Sequence, residues 1–245
     1  MPSVFRQMSR LVLCVLSLPS LAAHAEDPKP PAMREVSPGV YEIGDIHLDK
    51  NTSSLTFRAK VNMSDGAIEY LICTPRGSTH ESLLVTDAQP TDIHFAMLLL
   101  GAKGAGILAP APGDAPPGEI NAEYLKRAPR LKGDSITLSA KWKGADGKEK
   151  KAFIEDWVLN LTDNKPAPRG PWIYTGSMFA EEKFLAQLQG TVASIVSNPA
   201  ALINNPRRGS DNDQIWAVNT KAVPPLETAL EVTIKIESAP EPKPK

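Results

Sequence analysis

Leu55-Thr56-Phe57-Arg58-Ala59-Lys60-Val61-Asn62-Met63 alternates apolar and polar residues throughout its length. Successive side chains of an extended strand point to opposite faces, so a period of two puts one face on a core and the other in water. Two later stretches repeat the pattern. Ile136, Leu138, Ala140 and Trp142 alternate with Thr137, Ser139, Lys141 and Lys143, and Leu230, Val232, Ile234 and Ile236 alternate with Glu231, Thr233, Lys235 and Glu237. Half-polar strands of this kind belong to antiparallel sheets, because parallel sheets are covered on both faces and read as continuous apolar runs.

Upstream, a strand is expected at 41–48, turned at Asp49-Lys50-Asn51. Another is expected at 67–73, reached from a tight hairpin turn at Asp65-Gly66. Gly144-Ala145-Asp146-Gly147 reads as a hairpin loop into a strand at 149–159, and shorter strands are expected at 172–176, 184–188, 192–197 and 215–218. Pro90 suits the first turn of a helix, Asp92 complements its dipole, and Gly101 ends it. Only His94 is polar between Ile93 and Leu100, so a helix at about 91–100, buried on most sides, is expected. Minor helical turns are expected at 119–127 and 200–203. The fold class is α+β: strand-rich, mostly antiparallel, with one buried helix.

The chain has 245 residues, 42% hydrophobic and 22% charged, enough to bury a core without disulfide or metal staples. Residues 1–25 read as a secretory signal: Arg6 and Arg10 precede an apolar run, and Ala23-His24-Ala25 has the small-x-small cleavage pattern. The expected location is therefore exported, periplasmic or secreted. The net charge is -1, and -3 once Arg6 and Arg10 leave with the signal. Neither value suits a nucleic-acid partner, and after cleavage nothing suggests a membrane. Residues 26–38 read as a Pro-rich linker and 238–245 as a disordered tail. The Gly-, Ala- and Pro-rich stretch near 101–131 reads as an insertion. Signal cleavage removes Cys14, leaving Cys73 alone and no internal disulfide.

The densest polar stretch is Thr74-Pro75-Arg76-Gly77-Ser78-Thr79-His80-Glu81-Ser82, set between the apolar runs 68–73 and 83–85. Polar groups there must find partners or face solvent. Pro75 and Gly77 suit a turn. Arg76 and His80, with the hydroxyls of Ser78 and Thr79, can bind an anion; alternatively Arg76 and Glu81 pair to hold the turn. A sharper reading makes Ser82 a nucleophile with His80 as base and Glu81 or Asp87 as orienter, though no Gly-x-Ser-x-Gly elbow is present. His47, His80 and His94 lack a metal-binding spacing, so no metal and no cofactor are expected. Trp157 follows Glu155-Asp156, and Trp172 follows Arg169-Gly170-Pro171; such pairs can line a ligand groove. Arg207-Arg208, followed by Asp211 and Asp213, reads as a solvated loop.

Several of these segments together resemble the YdjY-type domain family: 71–77, 80–84, 93–101, 155–158, 169–177 and 198–206, in that order. The resemblance implies a single domain at 39–237, with a variable insertion from Gly104 to Leu131. The family is one of uncharacterised exported bacterial proteins. Some relatives carry a ferredoxin-like cysteine-rich segment that suggests electron transfer; one cysteine cannot supply the four ligands of a common iron–sulfur cluster. The expectation is a non-catalytic binding or accessory module for an unknown small ligand or protein partner, with its polar site at 74–82. The alternatives are a hydrolase or metal-assisted enzyme centred on His80, Glu81 and Ser82, or an accessory to an electron-transfer system without its own cluster.

Overall fold

A computed structural model describes residues 32–105 and 131–237. The expected signal at 1–25, the first part of the linker, the turns at 119–127 and the tail at 238–245 lie outside the described residues. In chain order the strands are β1 (Met33–Ser37), β2 (Val40–Ile43), β3 (Ile46–Asp49), β4 (Ser54–Val61), β5 (Tyr70–Cys73), β6 (Ser82–Val85), β7 (Asp134–Lys143), β8 (Glu149–Phe153) and β9 (Val158–Asn160). They continue with β10 (Lys165–Pro166), β11 (Trp172–Tyr174), β12 (Phe179–Ala180), β13 (Lys183–Phe184), β14 (Thr191–Ser194), β15 (Ile203–Asn204), β16 (Trp216–Val218) and β17 (Ala229–Ile236). Among the described residues the α-helices are α1 (Pro90–Leu99) and α2 (Leu185–Gln189).

Eight strands close on themselves in the order β4, β17, β7, β11, β15, β14, β5, β6, with β6 returning to β4. The three alternating segments form one wall of this barrel. Phe57 faces Val232, and Val232 faces Ala140, so the apolar residues of all three strands point inward together. Arg58, Glu231 and Lys141 share the outer face in the same register. A one-residue slip would turn every apolar side chain into water, which is why the pattern specifies the pairing. Closure leaves the barrel strands no open edge. The pairings are antiparallel except β5 with β6 and β14 with β15. β6 and β14 are buried at every residue, the mark of strands covered on both faces.

The structure corrects several expectations. Asp65-Gly66 does not join β4 to β5 as a hairpin, because β6 lies between them. Residues after β4 instead run past β16, where Ala67 bridges Ala217 and the Ile68 N–H donates to the Trp216 carbonyl at 3.1 Å. The segment 41–48 is two strands, β2 and β3, joined through Gly44 at φ +55°. The segment 184–188 is mostly the helix α2, stopped by left-handed Gly190. The segment 149–159 is interrupted by a 3-10 turn at Ile154–Trp157. The latter part of the linker is β1, hydrogen-bonded to β2, with all five residues exposed. Backbone pairing recruits it without any apolar burial, so its composition could not reveal it.

α1 is buried on one face only. Ile93, Ala96 and Met97 join the core, whereas Phe95 is 37% and Leu98 50% exposed. Its place explains this. α1 follows the C-terminal end of β6, and His94 reaches Tyr174, the last residue of β11. α2 leads into β14 at the same end of the barrel. The helix therefore covers a barrel end and shows its other face to solvent. Among the described residues, no helix is long and apolar enough to cross a membrane.

Candidate functional site

The polar stretch is the crossover between the parallel neighbours β5 and β6. Such connections usually take a dozen or more residues; this one uses only 74–81. Its backbone is tied down along its length. The Thr74 N–H donates to the Gly190 carbonyl at 2.7 Å, and the Gly77 N–H to the Thr74 carbonyl at 2.9 Å. The Asn62 amide donates to the Thr79 carbonyl at 2.6 Å and the Ser82 carbonyl at 2.7 Å. The Glu69 N–H donates to the Glu81 carbonyl at 3.0 Å. One 3-10 turn, Thr79–Glu81, completes the descent into β6.

Gly77 and Gly190 pack backbone to backbone. A Cβ on Gly190, which sits at φ +65°, would lie 2.8 Å from the Gly77 nitrogen. Gly190→Ala should therefore cost about 1–3 kcal/mol in a denaturant melt, from left-handed strain plus the close approach. Gly147, at φ +73° with nothing near its Cβ position, is the control. Equal losses for Gly147→Ala and Gly190→Ala would show that the close approach contributes nothing.

The side chains of the crossover divide sharply. Arg76 is exposed and has no ion-pair partner among the described residues, so the alternative reading, in which Arg76 pairs with Glu81, does not hold. His80 is 79% exposed, and its Nε2 stands 3.7 Å from the Glu81 carboxylate. Ser78 and Thr79 are half-buried. Ser82 is fully buried and donates its hydroxyl to the Leu84 carbonyl at 3.0 Å. Buried Ser82 and exposed His80 do not form a nucleophile–base pair. Around His80 the field is acidic. Burial, then Glu81 and Asp213, push the Glu69 carboxyl above its ordinary range, while His80 pulls it down. Cys73 is buried, and burial raises its thiol pKa, which suits an inert side chain.

The two tryptophans do not line a groove. Trp157 and Trp172 are each 1% exposed. Trp157 meets Trp142 edge-on, with ring centroids 5.4 Å apart. Trp172 lies under the Arg207 guanidinium, 4.8 Å from its centroid, and donates its indole N–H to Glu155 at 3.4 Å. Arg207 is not a solvated loop residue either. Its side chain is 8% exposed and stands 3.7 Å from the buried Glu155 carboxylate. It donates to the Pro168 carbonyl at 2.6 Å, the Gly170 carbonyl at 2.9 Å and the Asn205 amide oxygen at 3.2 Å. Burial lowers its pKa, and Glu155 opposes that shift. This network was invisible in sequence, since Arg208 beside it is exposed as expected.

His47, His80 and His94 stay apart. His47 pairs with Glu42 at 2.9 Å on the surface, His80 sits on the crossover, and His94 Nδ1 meets the Tyr174 hydroxyl at 2.6 Å. Among the described residues, no group of three His, Cys, Asp or Glu is placed to hold a metal ion.

A family model, the YdjY domain, matches residues 46–235. That span runs from the start of β3 almost to the end of β17 and so takes in the whole barrel. No curated protein and no solved structure matches the chain.

Proposed function

The chain belongs to the YdjY domain family, and from that premise we propose that it is a non-catalytic binding or accessory module of an exported protein, with the crossover 74–81 as its recognition strip. One observation supports the reading most directly. The backbone of the strip is fixed through Asn62, Glu69 and Gly190, yet Arg76 and His80 face solvent, with no ion-pair partner among the described residues beyond the 3.7 Å approach of His80 to Glu81. Charged groups that the fold does not use for its own packing are available to a ligand. Arg76 stands beside Gly77 towards the Cys73 end, and His80 stands towards the Tyr70 end with Glu69 and Glu81. The strip therefore suits a polar ligand or peptide segment that offers an anionic group to the guanidinium, the forked donor that matches a carboxylate. The hydrolase alternative gains nothing from this geometry, because the Ser82 hydroxyl is sealed inside β6.

Arg76→Gln and His80→Gln should each leave unfolding free energy within about 0.5 kcal/mol of the parent, as surface changes do. Both should abolish the thermal shift produced by at least one member of a panel of small carboxylates, phosphates and short acidic peptides that stabilises the parent chain. A loss above about 3 kcal/mol for Arg76→Gln, the size expected from breaking a buried pair, would overturn the proposal. So would a panel in which every stabilising ligand keeps its full effect in both variants.

A further inference from the structure

At the end of the barrel covered by α1 lies a cavity of about 360 Å³ that shares no lining residue with the crossover. His94, Leu98, Gly104, Ser177, Met178 and Pro199 are among its walls. Its volume falls in the range of small-molecule sites. What it can bind follows from which polar groups remain unspent.

The Tyr174 hydroxyl is buried, and its one partner among the described residues is His94 Nδ1. A buried phenol must donate its proton, so Nδ1 is the acceptor and the ring proton sits on Nε2. Burial holds the imidazole pKa down and the phenol pKa up, which keeps both groups neutral in this arrangement. Nε2 has no protein partner among the described residues, and no described side-chain nitrogen is sequestered without one. It belongs to a side chain that lines the cavity.

The other side-chain groups are already committed. The Ser177 hydroxyl donates to the Ala200 carbonyl at 2.7 Å and accepts the Ala186 N–H at 3.1 Å. The Thr175 hydroxyl accepts from the Asn204 amide at 2.9 Å and faces the Ala201 carbonyl at 3.2 Å. Asp134, whose charge reaches Tyr174, accepts the Lys103 N–H at 2.6 Å. The backbone N–H groups of Ser177 and Met178, by contrast, have no partner among the described residues. They lie where the chain takes two consecutive left-handed residues, Gly176 at φ +81° and Ser177 at φ +62°. A non-glycine residue in that region is uncommon, and such strain gathers at ligand clamps when the surroundings enforce it. Here the two Ser177 side-chain bonds enforce it.

The His94 Nε2–H and the two amides are donors, and Leu98, Met178 and Pro199 add apolar wall. We propose that this cavity is a binding site for a small aliphatic carboxylate, with its head group on the His94 Nε2–H and the Ser177–Met178 amides and its tail along Leu98, Met178 and Pro199.

The test is titration of the full chain with hexanoate at pH 7.5, followed by calorimetry and by the side-chain nitrogen resonances of His94. Hexylamine, of the same length with a donor head, is the control. The expected result is saturable hexanoate binding that moves the His94 Nε2 resonance, with hexylamine at least tenfold weaker. His94→Phe removes the donor. Leu98→Asp puts a like charge at the wall from a position that is 50% exposed, so folding does not depend on it. Each should weaken hexanoate at least tenfold, and Leu98→Asp decides the matter if His94→Phe does not fold. Failure of hexanoate to saturate, hexylamine binding as tightly, or hexanoate affinity retained in either folded variant would overturn the assignment.

Discussion

Arg207→Leu is expected to destabilise the fold by about 3–5 kcal/mol, the range for breaking a buried ion pair from one side. The argument rests on what is left behind. Glu155 is 3% exposed, and its remaining side-chain partner among the described residues is the Trp172 indole N–H at 3.4 Å, a long bond for a whole carboxylate. The Pro168 and Gly170 carbonyls lose their shortest donor at the same time. The Arg207 stacking over Trp172 also goes, and with it the cover on a fully buried indole. The contacts to carbonyls at 2.6 and 2.9 Å are shorter than the 3.7 Å ion pair, so the backbone bonds, more than the charge pair, fix the guanidinium. Adding Glu155→Gln should therefore recover only part of the loss, since the half-buried Gly170 carbonyl still lacks its donor and Trp172 its cover. Arg208→Leu, on the exposed neighbour, should stay within about 0.5 kcal/mol. Denaturant melts of the four proteins give the answer, and an Arg207→Leu cost below about 1 kcal/mol would show that the cluster carries no weight.

The alternating strands were legible because their outer face meets water. β4, β7 and β17 match their sequence pattern almost residue for residue, and they form the wall on which the barrel is built. Barrel closure was not legible. It depends on β6 pairing with both β5 and β4, and a uniformly buried strand carries no mark of its neighbours. The same limit hid α1's orientation: a helix apolar on every side reads as buried, whichever face the fold covers. At the candidate site the sequence located the density of polar groups but not their division into inside and outside. Ser82 begins a buried strand, whereas His80, two positions earlier, sits on a 3-10 turn that swings it into solvent. Local backbone geometry made that difference. Glu155, Trp172 and Arg207 are brought together by three separate segments, and only the folded chain joins them.

Met97→Ala should cost about 2–5 kcal/mol, as for large-to-small changes at a packed site. Met97 is fully buried, on the same helix face as Ile93 and Ala96, where α1 covers the barrel end. The cost will sit towards the upper part of that range if the site cannot collapse, and two observations say it cannot. The strand ends beneath the helix are held in a closed hydrogen-bonded ring. The helix itself is pinned at His94 by Tyr174 and at Thr91 by the Gln187 side chain of α2. With neither surface free to move, the truncated methionine leaves a void, and void volume adds to the lost transfer energy. Leu98, one position later, is 50% exposed and should lose less than about 1 kcal/mol when changed to Ala, since little apolar area returns to water. Composition makes the two residues equivalent, so the contrast isolates orientation. Paired urea melts at equal protein concentration measure it. Equal losses for Met97→Ala and Leu98→Ala would mean that α1 does not present the face assigned to it, and the donor cavity beside His94 would fall with that assignment.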